Sequence, residues 1–233
     1  MKNRLLIFAT VALCAIGMIS CGNPAEPETF VINRDNVDDL IVAIAPYEGL
    51  TVSAVKDTFT DSDVETYADY YYASLANEVE GMTNEKGDPI PMTDEAIEML
   101  NCEAFSNVTE FMVFVRNTVI DYYEYSYQND IVQEVVSDVA GSSQFAEIPE
   151  GLLAKEKADI DVQFTEIANN YSLSVEDYLK YCGTTKDELA LEYAKQEIVF
   201  YKIAKDRGID DTDPDSMDEE VFDYILSVTN VTE

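Results

Sequence analysis

The chain has 233 residues and sets 14 Lys and Arg against 47 Asp and Glu, a formal charge of −33, with neither His nor Trp. So acidic a chain cannot neutralise phosphates, which excludes nucleic acid and attachment to anionic lipid by surface charge, and lack of His excludes Ser–His and Cys–His catalysis and histidine metal sites. Hydrophobic residues make up 47% of the sequence and aromatics 11%, enough for a packed core rather than a disordered chain, and the acidity reads as solubility.

The first twenty-one residues divide into three parts. Lys2 and Arg4 give a basic start, and residues 5–19 are uncharged and almost wholly apolar, a length that suits a signal peptide and falls short of a spanning helix. Met18-Ile19-Ser20-Cys21 resembles the lipobox of bacterial lipoproteins, with a small residue before the cysteine. That resemblance implies cleavage between Ser20 and Cys21 and a thioether-linked diacylglycerol on Cys21, usually with an acylated new amino terminus. The polar, proline-containing stretch after Cys21 reads as a flexible tether, and two acyl chains give lasting attachment where one is marginal. The expected division is therefore a signal peptide over 1–20, a lipidated tether over 21–38 and a folded body over 39–233, on the outer face of the cell membrane. Cys102 and Cys182 then remain as either one disulfide or two free thiols.

Residues 40–55 read as a β-hairpin or a pair of short strands: an apolar run, the turn residues Pro46-Tyr47-Glu48-Gly49, then Leu50, Val52 and Ala54 alternating with Thr51 and Ser53. From Thr60, an N-cap, the period becomes helical, with Val64, Tyr67, Ala68, Tyr71, Leu75 and Val79 on one face and Gly81 as the stop. Thr93 caps a short helix carrying Ile97 and Leu100. A long helix follows over about 106–140, which at about 1.5 Å per residue spans roughly 50 Å. Phe111, Phe114, Val115, Val119 and Tyr122 form its first apolar stripe, and Ile131, Val132, Val135 and Val139 resume it after a tyrosine-rich middle.

Pro149 opens the next helix, with Leu153, Ile160, Phe164, Ile167 and Tyr171 on its inner face. Ser174 caps a short helix closed by Gly183. Thr185 with Glu188 makes a capping box for a helix that ends at Arg207 and Gly208, with Leu189, Tyr193, Val199 or Phe200, and Ile203 facing inward; Ser216 with Glu219 opens a last helix bearing Val221, Ile225 and Leu226. The fold class expected is mainly α.

Several segments, in order, resemble the trigger factor chaperone family. Tyr47-Glu48-Gly49-Leu50-Thr51-Val52 and Phe59-Thr60-Asp61-Ser62-Asp63-Val64 resemble the segment leading out of its ribosome-binding domain. Met92-Thr93-Asp94-Glu95 and residues 105–116 resemble the entry to its helical body. Ile148-Pro149-Glu150-Gly151-Leu152-Leu153, Tyr178-Leu179-Lys180-Tyr181-Cys182-Gly183 and residues 194–209 are similar to its first helical arm. The resemblance implies an elongated helical chaperone body of the trigger factor C-terminal or SurA-like kind.

Two parts of that family have no counterpart in the pattern: a signal and tether stand where the ribosome-binding domain would be, and residues 80–92 are too few for the FKBP-like isomerase domain. The second arm is expected to be absent too. The function implied is a membrane-tethered holdase for unfolded or newly exported proteins, held to the membrane through Cys21. It needs neither ribosome nor nucleic acid, and no catalytic residue, metal or cofactor. The alternatives are a prolyl cis–trans isomerase by family association, or a scaffold for one specific partner. Tyr123 and Tyr127, four residues apart on the long helix, are the expected client-contacting pair, with Tyr122 expected in the core.

Overall fold

The computed structural model describes residues 30–232, so the signal segment, Ser20 and Cys21 lie outside the described residues. The described chain is mainly α: eight helices and four strands of two or three residues. It divides into two compact units, residues 30–52 with Val132–Asn230, and Ser53–Ile131 with residues 231–232. No helix of the described residues is long and apolar enough to cross a membrane.

In the first unit, α1 (Val37–Leu40) and β1 (Ile41–Ala43) precede the end of the long helix, β3 (Gln144–Phe145) and four further helices. These are α5 (Glu150–Asn170), α6 (Val175–Tyr181), α7 (Lys186–Arg207) and α8 (Pro214–Val228). The core of α5 is a strict every-fourth row, Leu152, Glu156, Ile160, Phe164 and Ala168. α7 buries Ala190 and Ala194, small residues that allow close backbone approach, and the larger Ile198.

Helix ends follow the capping residues. Thr185 accepts from the Glu188 amide while Glu188 reaches back to the Thr185 amide, and Ser174 accepts from the Asp177 amide. Gly208 ends α7 at φ 72°, and Ile209 N–H returns to the Ala204 carbonyl at 2.9 Å, a closure that needs a left-handed residue. The last helix begins earlier than Ser216 suggests: Asp213 is the N-cap and Pro214 the first helical residue, a position where proline loses no hydrogen bond.

The second unit holds β2 (Thr51–Ser53) in part, α2 (Asp61–Glu78), α3 (Asp94–Met99) and most of α4 (Val108–Ser142). Its core is Val64, Ala68, Tyr72 and Ala76 of α2 packed with Ile97, Phe105, Phe111, Val115 and Val119. Phe111 is fully buried and meets Phe105 edge-on at 5.0 Å and Tyr72 at 6.3 Å, the geometry that ring quadrupoles favour. Tyr72 O–H donates to the Ile90 carbonyl at 3.1 Å, which satisfies a hydroxyl carried into the core. Residues 80–92 form a small loop, tied by Ile90 N–H to the Met82 carbonyl and Asn84 N–H to the Asp88 carbonyl, both 2.8 Å.

Three expectations change. Residues 40–55 contain two strands but no hairpin: β1 pairs antiparallel with β3, and β2 pairs with β4 (Asn230–Thr232). The turn residues do not close on each other because Tyr47 is buried and Gly49 N–H bonds the Val228 carbonyl at 2.9 Å. The stretch 21–38 is not tether throughout. Ile32 and Val37 are buried, Asp38 pairs with Lys202 and Lys205, and Arg34 N–H donates to Asp211 at 2.8 Å, so the packed body starts at Ile32. On α2 the buried residue of the Tyr70-Tyr71-Tyr72 run is Tyr72, while Tyr67 is 40% exposed.

Candidate functional site

Aromatic side chains left at the surface of the helices are the chemistry that these units offer to another molecule. On α4 the stripe Phe111, Val115, Val119 points on to Tyr122, yet Tyr122 is 59% exposed. The core cluster that covers the first three residues reaches Tyr123 at its edge and not Tyr122. Tyr123 is half-buried and leans on Phe59, 5.2 Å away, while Tyr122 touches Tyr123 edge-on at 5.8 Å. Tyr122, expected in the core, is therefore the exposed ring of the two, and Tyr123 the half-buried one. Tyr127 is half-buried beneath the Lys56 ammonium, 5.9 Å from the ring centre, and Lys56 also pairs with Glu124.

The exposed tyrosines of this helix are thus Tyr122 and Tyr125, three residues apart and on one face. A second such pair lies on α2, where Tyr70 is 73% exposed and Tyr67 stacks on Tyr71 at 6.3 Å. Tyr71 in turn stacks on Phe114 at 6.0 Å, so a packed ring supports the surface one. A phenol held in this way offers apolar area and one hydrogen-bonding group with little freedom left to lose.

The start of α2 and the start of α4 also border a groove of ≈ 480 Å³. Val64, Val108, Met112 and Val113 give it an apolar lining, with Asp61, Glu65, Thr109 and Arg116 around them. Arg116 pairs with Asp61 there. Val113 is largely exposed, and Ile120, seven residues on, shares its face. Such a groove can take an apolar side chain by burial and holds no nucleophile set beside a base.

In the first unit, Tyr171 and Tyr181 project from the α5–α6 corner, and Tyr171 lies 5.6 Å from Tyr178 at an interplanar angle of 33°. Cys102 and Cys182 are free thiols. Among the described residues there is no cluster of His, Cys, Asp or Glu fit to hold a metal ion. The sequence reading missed Tyr67, Tyr70 and Tyr125 as surface groups. For α2 a signal existed: the every-fourth row from Val64 through Ala68 leads to Tyr72 and Ala76, which leaves Tyr70 outside it.

No family model matches the chain, and no solved structure matches it. A stretch of 141 residues, 58% of the chain, is 22% identical to the trigger factor of Onion yellows phytoplasma (strain OY-M). The chain spans 33% of that relative's length. Over this stretch the chain is similar to trigger factor, and the relationship that the match supports is a distant, trigger-factor-like one.

Proposed function

We propose that this protein is a membrane-tethered holdase that captures unfolded or newly exported proteins on the outer face of the cell membrane, without covalent chemistry. The observation that carries the reading is the pair of exposed tyrosines on α4, Tyr122 and Tyr125, with Tyr122 set edge-on against the half-buried Tyr123. Distant similarity to trigger factor supports a chaperone-like role. The Leu5-to-Ser20 leader and Cys21 support the tether, and the short 80–92 loop supports a role without prolyl isomerisation. Tyr123, half-buried beside Tyr122, backs this surface, while Tyr127 is covered by Lys56.

Paired measurements of client protection and stability test this. Tyr122→Ser with Tyr125→Ser is expected to weaken the suppression of aggregation of a chemically denatured reporter enzyme while leaving the Tm nearly unchanged. Tyr123→Ser is expected to lower stability by about 1–2 kcal/mol, since it opens a gap against Phe59 and the core. Full protection by the stable double variant removes α4 from the client surface.

A further inference from the structure

Glu156 occupies a place that the helix pattern reserves for an apolar residue. It lies between Leu152 and Ile160 on the inner row of α5 and is the one charged residue buried among the described residues. Opposite it, α7 carries Tyr193, Glu197 and Tyr201, again four apart. Lys155 bridges the two helices: its Nζ lies 3.1 Å from Glu156 Oε1 and 2.9 and 3.0 Å from the two Glu197 oxygens. The Glu197 side chain is only 17% exposed, so two carboxylates removed from water share one ammonium.

Such a set is balanced when one carboxylate keeps a proton. We propose that Lys155, Glu156 and Glu197 form a protonation-sensitive clasp between α5 and α7, closed while the two carboxylates share one proton and loosened when that proton leaves. In the closed state Glu156 donates its proton to Glu197 and both oxygens face the lysine; in the open state two adjacent anions oppose each other across the helix pair. The proposal goes beyond client capture and stands independently of it.

The surroundings sharpen the response. Burial, then the hydrogen bond to Glu197, pushes Glu156 up to about 7 against the pull of Lys155. Burial tends to lower Lys155, but Glu197 and Glu156 more than offset it, so the ammonium stays charged. Two further lysines join α5 and α7, Lys157 to Asp187 and Lys186 to Asp161, and acidic and phenolic groups lie around the clasp. On α5 Asp159 lies 4.0 Å from Lys155; on α7 Glu192 faces Tyr193, which burial pushes up to about 12. Burial also raises Tyr201, and Glu197, Asp218 and Asp211 add to it. On α8, Asp218 is pushed up to about 6 by burial, then by Asp215 and Glu197. With no histidine in the chain, little else titrates close to neutrality.

Because the folded chain holds the Glu156 proton more tightly than the unfolded one, this contribution to stability is complete below the ordinary 4.5 and is lost as pH rises through about 7. Thermal melts of the full chain in nonionic detergent micelles read it out. The wild-type Tm should fall by about 5 °C between about pH 6 and about pH 8. Glu156→Gln, which keeps the shape and a donor without the charge, should abolish most of the fall between about pH 6 and about pH 7, whereas Asp218→Asn should leave most of that part in place. An undiminished fall in Glu156→Gln overturns the clasp. If that variant does not fold, the Glu156 carboxyl followed by carbon NMR in the wild type decides instead. A midpoint close to 7 supports the clasp, and one at the ordinary 4.5 overturns it.

Discussion

Phe111→Ala is expected to destabilise the second unit by about 3–5 kcal/mol, the range for removing a buried aromatic from a core that cannot close over the gap. Phe111 has no exposed surface and touches three rings from two segments: Tyr71 and Tyr72 of α2, and Phe105 from the loop before α4. Its loss leaves the Tyr72 ring without an edge-on partner while the Tyr72 hydroxyl still has to reach the Ile90 carbonyl. Urea titration followed by circular dichroism measures the effect, and a loss below about 1 kcal/mol would mean that the ring cluster is loosely packed. Phe114→Ala, half-buried at the margin of the same cluster, should cost less.

Cys21→Ala is expected to release the protein from the membrane altogether. With 47 acidic residues against 14 basic ones, the surface has no attraction for anionic lipid, and no described helix can span the bilayer. In the proposed tether, attachment depends on acyl chains, and two of them hold where one is marginal. Cell fractionation with labelled fatty acid checks this: label and membrane recovery should vanish together in the variant. Equal membrane recovery of the variant, or an unlabelled wild type, contradicts the tether.

Local signals in the sequence translated directly into structure. Thr60, Thr93, Ser174 and Thr185 each cap the helix expected of them, because a side-chain oxygen three residues before a free amide needs no tertiary help. The long helix also stands, from Val108 to Ser142, since nothing within its apolar and polar alternation breaks it. What failed was non-local. Strand β1 finds β3 about a hundred residues later, and no feature of residues 40–55 distinguishes that partner from the nearer β2.

Side-chain roles were legible only where the row was unambiguous. Three consecutive tyrosines at 70–72 offer three faces, and the row from Val64 and Ala68 selects Tyr72 only if Ala76 is counted as core with them. The same undercounting hid Ala190 and Ala194 on α7. Tyr122 falls on the core stripe by angle, but burial depends on whether a neighbouring element extends that far, which a helical wheel does not record. Glu156 escaped notice because a carboxylate on an apolar row reads as an interruption until Lys155 and Glu197 are seen to enclose it.

The central claim, that the chain recognises unfolded polypeptide, is tested most directly by binding one fluorescently labelled protein in two states. A disulfide-stabilised protein is compared in its native form and after reduction and alkylation, which hold it unfolded without aggregation. Fluorescence anisotropy with the full chain in nonionic detergent micelles should show binding at least about tenfold tighter to the unfolded form, and weakened by Tyr122→Ser with Tyr125→Ser. Equal affinity for the two forms, or no binding of the unfolded one, contradicts the account.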